Sequence, residues 1–179
     1  NDPFVKKSRR EGYRARSVYK LTELDDTEHL FRPGMNVADL GSAPGSWTQI
    51  VRERLTDKNG ELKGRIIAMD ILPMEPIDGV TFLQGDFREQ EVADKLNEIL
   101  GGDKLDVVIS DMAPNLSGIA MVDANASLLL NELALDFAVE HLKPEGVFVT
   151  KAFQGSGYSQ FIENCKKHFV SVAQRKPEA

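Results

Sequence analysis

The sequence predicts a single α/β domain, with a mostly parallel sheet and helices on both of its faces. Three observations carry this expectation. Short β-rich apolar runs alternate with longer helical stretches along the chain, the order that builds strand–helix–strand units. The runs Val107, Val108, Ile109 and Val147, Phe148, Val149 lack polar alternation, as expected of strands in the middle of a sheet covered on both faces. The 179 residues, 41% hydrophobic and 28% charged, suffice for one well-filled core, with no internal repeat, low-complexity tract or long linker to divide it.

Taken in order, a helix is expected over 17–29 on the spacing of Val18, Leu21 and Leu24, closed before Pro33 and Gly34. The first strand covers 36–40 and the helix behind it 46–56. The second strand is 65–70, and the third, 81–83, runs toward Asp86. Val92, Leu96, Ile99 and Leu100 share one face of a helix over 89–100. A fourth strand at 105–110 precedes a long helix at 125–142, stopped by Pro144 and Gly146. A fifth strand follows at 146–150, then a helix at 159–168 and a sixth strand at 169–173. In open sheets of this kind the ligand sits beyond the carboxyl ends of the strands, near the switch in strand order.

Composition narrows the functional classes. No run approaches the roughly 18–20 apolar residues that span a bilayer, and the N-terminus has no apolar signal core. The single cysteine, Cys165, and the scattered His29, His141 and His168 lack metal-ligand spacing. The expectation is a cytoplasmic, monomeric protein with no structural metal, no membrane association and no protein partner. Its net charge of −6 is unevenly spread: residues 1–20 hold seven basic and two acidic side chains, a net of +5, and the rest carries −11. An acidic body with a basic arm suggests a polyanion met by the arm alone. Tyr13 and Tyr19, set among the cations, suggest stacking on bases.

The chemistry gathers at the strand ends. The first strand runs into GSAPGSW at 41–47, where Gly41 and Gly45 let the backbone pass close beneath a ligand before a helix begins. Its spacing differs from the dinucleotide G-x-G-x-x-G pattern, and Pro44 stands mid-turn. Asp39, Asp70, Asp86 and Asp111 fall at or just beyond the ends of the first four strands. One such aspartate is ordinarily a helix cap. Four on one edge repel a pyrophosphate and suit a ligand bearing a sulfonium and an ammonium, since each close charge pair in a partly desolvated cleft is worth on the order of a few kcal/mol. That sign argument favours S-adenosylmethionine over a nicotinamide dinucleotide. Asp70, 25 residues after Gly45, suits ribose hydroxyls, and Asp86 the adenine amino group. Lys151, directly after the fifth strand among apolar neighbours, is an unusual place for a cation.

These segments together resemble the RrmJ/FtsJ family of ribosomal RNA 2′-O-ribose methyltransferases. The resemblance runs through RSVYKL (16–21), DLGSAPGSW (39–47), DILPM (70–74), QGDF (84–87), SDMAPNLSG (110–118) and KAFQG (151–155), and so covers essentially the whole chain. It implies a Rossmann-like S-adenosylmethionine-dependent methyltransferase fold. It also implies cofactor contacts at Gly45, Trp47, Asp70, Asp86 and Asp111, to which the loop and the acidic edge add Gly41 and Asp39. A Lys-Asp-Lys-Glu catalytic set is implied as well, matched in its first three members by Lys20, Asp111 and Lys151. The fourth, a glutamate on a last strand, is expected beyond the RKP stretch at 175–177; Glu178 stands too early beside Pro177 to fill it, and that strand is expected to lie outside this chain. The implied substrate is a uridine ribose in the A-loop of large-subunit ribosomal RNA, on the assembled particle. Transfer RNA or messenger-cap riboses, a non-catalytic RNA-binding module and a nicotinamide oxidoreductase remain alternatives.

Overall fold

The structure is a computed structural model that describes residues 2–179. Helices α1 (Pro3–Glu11) and α2 (Val18–Glu28) precede β1 (Asn36–Leu40) and α3 (Ser46–Leu55). Then follow β2 (Arg65–Asp70), β3 (Thr81–Gln84), α4 (Gln90–Leu100), β4 (Leu105–Ser110), α5 (Ala120–His141), β5 (Leu142–Thr150) and α6 (Tyr158–Lys166). The strands form one parallel sheet in the order β3-β2-β1-β4-β5, so the order reverses at β1. The expected α/β architecture is therefore present.

Strand pleating explains why helices cover both faces. Successive side chains point to opposite sides of a strand, so Val37 packs with Ile50, Val51 and Leu55 of α3, while Ala38 and Leu40 pack with Leu96, Ala134 and Phe137 of α4 and α5. The first cluster also takes in Val18 and Leu21 of α2, the second Ile67, Met69 and Val108. No helix among the described residues is long and apolar enough to cross a membrane.

Four expectations are corrected. The run at 147–149 lies not in the middle of the sheet but in β5, an edge strand whose Val147 is half-exposed; an apolar run reports burial of faces and says nothing of lateral neighbours. The predicted sixth strand at 169–173 is not a strand. Two of its apolar residues pack without strand pairing, Phe169 by stacking on Phe148 and Val172 against the cluster that holds Phe161, while Val170 is fully exposed. Helix α5 starts five residues earlier than expected, where Asp123 accepts hydrogen bonds from Ser117 and from the Gly118 N–H.

The fourth correction concerns the tyrosines of the arm. Tyr19 is buried, its hydroxyl donating to Glu11, and Tyr13 stands edge-on to it, donating to Glu53. Both rings fasten α1 to the body, and buried Tyr19 has no open face to offer a base. Desolvation and the neighbouring carboxylates push both phenols up to about 12.

Candidate active site

Strand order turns scattered aspartates into a row. Reading β3, β2, β1, β4 across the sheet gives Asp86, Asp70, Asp39 and Asp111, with Lys151 next after β5. Neighbouring strands are about 4.8 Å apart, so these groups share one carboxyl edge.

The glycine loop crosses that edge. The Gly41 and Ser42 N–H groups both donate to the Met69 carbonyl, and the Ala43 N–H donates to Asp70 Oδ2 at 2.8 Å. Asp70 Oδ1 accepts from the Leu72 N–H, so this carboxylate holds the loops after β1 and β2 together. Gly41 and Gly45 have φ of 68° and 114°, a region that favours glycine. A Cβ on Gly41 would collide with Met112 Cγ, and one on Gly45 would crowd Arg14, Met74 and Ile77. Trp47 is at the expected place, but its ring is buried in the core and its Nε1–H donates to the Ser17 carbonyl. What it can offer a ligand is its N–H in the first turn of α3, where helix geometry leaves donors without partners.

The four acids differ in environment. Asp39 is buried, with Oδ2 accepting from the Thr48 hydroxyl at 2.7 Å and Oδ1 left without a partner. Desolvation pushes its carboxyl up to about 7, and nearby Asp111 and Asp70 add to the rise. Asp86 is held on both oxygens by Arg88, which keeps its pKa low. The carboxylate expected to meet an adenine is thus engaged by its own neighbour. Asp111 is largely buried, which raises its pKa against the pull of Lys151 and Lys20.

Lys151 Nζ lies 3.4 Å from Asp111 Oδ1, and Lys20 on α2 is close enough to act on the same carboxylate. Lys20, Trp47 and Lys151 line one cleft of about 710 Å³ beside β5, lined also by α6 and by Ser171–Pro177. The structure therefore brings Lys20, Asp111 and Lys151 together. Asp70 and Asp86 stand further along the edge, toward the opposite side of the sheet. Among the described residues no group of His, Cys, Asp or Glu is arranged to hold a metal.

Two residues escaped the sequence reading. Asn131, buried on α5, donates to the Lys151 carbonyl at 2.7 Å and to Thr150 Oγ1 at 3.3 Å, and so fixes the end of β5. A lone amide after Leu128, Leu129 and Leu130 was the available signal. Arg14 donates to carbonyls of both loops beside Gly45; in the sequence it was one cation among seven.

A parallel doubly wound sheet with a glycine loop after its first strand, a row of acids and no dinucleotide fingerprint defines a methyltransferase-type α/β fold. The comparisons make the assignment particular: the family model described as FtsJ-like methyltransferase matches residues 13–179, and the chain belongs to that family. A protein of Ralstonia pickettii named ribosomal RNA large subunit methyltransferase E is 56% identical over 187 residues, covering 100% of this chain and 85% of its own. Its namesake in Bordetella petrii is 55% identical over 179 residues with the same coverage. The crystal structure of a ribosomal RNA methyltransferase from Plasmodium falciparum superposes with a TM-score of 0.83 at 34% identity, over 93% of this chain and 92% of that one.

Proposed function

We propose that this protein methylates a ribose 2′-hydroxyl of large-subunit ribosomal RNA, with S-adenosylmethionine as donor and S-adenosylhomocysteine as product. The observation that carries the reading is the Lys151–Asp111 pair, 3.4 Å apart at the ends of β5 and β4, with Lys20 on the cleft that Lys151 lines. The preferred target is a uridine of the A-loop on the assembled subunit, in the cytoplasm. The named relatives support ribosomal RNA over transfer RNA or a messenger cap.

The residues present fit the cofactor. A Cβ at Gly41 would collide with Met112 and one at Gly45 would crowd its neighbours, and the orphaned Oδ1 of buried Asp39, beside Asp70 and Asp111, suits a cationic ligand. Gly41, Gly45 and the Trp47 N–H would hold its methionine part, Asp70 its ribose, Asp39 and Asp111 its positive groups. Asp86, once released from Arg88, would meet the adenine. When bound, the cofactor supplies a methyl group already activated on a sulfonium, so the protein's task is mainly alignment.

A ribose hydroxyl is a weak nucleophile that must lose its proton as it attacks. Lys151 is the group proposed to meet that oxygen. In its neutral form it takes the proton; as a cation it orients the lone pair and stabilises the developing alkoxide. Asp111 fixes Lys151 from one side and Asn131 anchors its backbone from the other. Lys20 meets the target nucleotide or its phosphate. Because DNA lacks the 2′-hydroxyl, the reaction is selective for RNA by its acceptor alone.

Lys151→Ala tests the assignment. Methyl transfer to ribosomal RNA from labelled cofactor should fall by about 10²–10⁴-fold, with calorimetric cofactor affinity within a few-fold of wild type. Turnover at the wild-type rate would sink the catalytic reading. RNA retention without methyl incorporation by the wild-type protein would favour a binding module.

A further inference from the structure

We infer that Arg14 is a positioning residue that ties the basic arm to the cofactor loop, so that RNA affinity and cofactor affinity are coupled through it. The inference rests on the function proposed above and adds a link between its two sites.

The contacts are unusual for a surface arginine. Arg14 Nη1 donates to the carbonyl of Pro44 at 2.9 Å and to that of Glu75 at 2.7 Å, while Nη2 donates to the Pro76 carbonyl at 3.1 Å. Pro44 is in the glycine loop after β1; Glu75 and Pro76 are in the segment after β2. One side chain therefore clamps together the two loops that wall the proposed cofactor site. The approach is close enough that a Cβ on Gly45 would stand 3.0 Å from Nη1. The backbone joins in: the Arg14 N–H donates to Gln49 Oε1 at 2.9 Å, and Gln49 Nε2 donates to the Gly12 carbonyl at 3.2 Å. Gln49 belongs to α3, the helix that the glycine loop opens.

Charge makes this clamp a link. All three acceptors are neutral carbonyls, and among the described residues Arg14 has no ion-pair partner, whereas Arg16 is paired with Asp2. Arg14 thus keeps an uncompensated positive charge on the segment that joins α1 to α2. Its planar fork spans three acceptors on two loops and leaves donors over, which a lysine ammonium cannot reproduce. A phosphate that engages those spare donors orders the guanidinium and, with it, the glycine loop. A cofactor that orders the loop fixes the guanidinium for a phosphate. Such coupling is reciprocal by thermodynamic necessity.

The test measures S-adenosylhomocysteine binding by calorimetry to the whole protein, with and without a saturating transcript of large-subunit ribosomal RNA. Wild type should bind the nucleoside about fivefold tighter or more with RNA present. In Arg14→Lys, which keeps the charge, and in Arg14→Ala, that ratio should fall to about one, with thermal melts confirming that both variants fold. Arg9→Glu/Arg10→Glu should need more RNA to saturate yet keep the wild-type ratio. A wild-type ratio of one, or an Arg14→Lys ratio equal to that of wild type, overturns the coupling while leaving the proposed function intact. Failure of wild type to bind either RNA or the nucleoside overturns the function itself.

Discussion

At the residue scale the same side-chain type serves different purposes according to depth. Asp39 is an aspartate in a strand, buried beneath the loop, with a carboxyl pushed up to about 7 by desolvation. Because its folded pKa lies above the ordinary value of about 4, the neutral form is favoured in the folded state. Its contribution to stability is therefore fully present below about pH 4 and is lost as pH rises through about 7. Asp39→Asn keeps an acceptor for the Thr48 hydroxyl and carries no charge. The stability of the variant relative to wild type should grow between those limits and level off above them, as read from denaturant midpoints across pH. A flat difference would show that Asp39 does not titrate in this window. Gly41 makes a steric demand instead. Gly41→Ala places a methyl group against Met112 at a φ of 68°, and should cost about 1–3 kcal/mol in denaturant unfolding while weakening cofactor binding.

At the scale of elements, the arm behaves as a helix docked on the body. Asp2 caps α1 by accepting from the Phe4 N–H, and Gly12 closes it at a φ of 82°. Phe4, Tyr13 and Tyr19 join the core cluster beneath, while Arg9 and Arg10 of the last turn stay exposed. Reversing both charges should weaken RNA binding and flatten the plot of log affinity against log salt, by roughly 0.7–0.9 for each phosphate that the arm no longer neutralises. Unchanged binding would return these residues to the role of a solvated helix face. The exchange also removes cations that suit the negative end of the helix dipole, so helix content by circular dichroism should accompany the binding data. Helix α5 makes a complementary point. Its polar Asn131 looks like an interruption in an apolar run, yet it is the residue that holds the end of β5.

At the scale of the whole molecule, the two larger core clusters lie on opposite faces of one sheet and share its strands, and a small third one joins α5 to α6. That arrangement supports the reading of 1–179 as one domain with the basic segment 1–20 attached. It predicts one cooperative unfolding transition. Trp47, the only tryptophan, is buried among α2 and α3 and reports on the core by fluorescence. Its denaturation curve should coincide with far-ultraviolet circular dichroism; two separated transitions would show that the arm or the β5 side unfolds independently.

By itself the sequence determined the fold class, the five strands that pair and the residue types at their carboxyl ends, because period and loop chemistry are local properties of the chain. The shared motifs determined the family in the same way. Only the tertiary structure decided lateral order and depth. It made β5 an edge, left 169–173 outside the sheet, buried Tyr19 and the Trp47 ring, and gave Asp86 to Arg88. It also set Lys151 against Asp111, forty residues apart in sequence, and brought Arg14 onto Pro44 and Glu75. Burial and charge pairing depend on which elements become neighbours, and no local pattern in the chain carries that information.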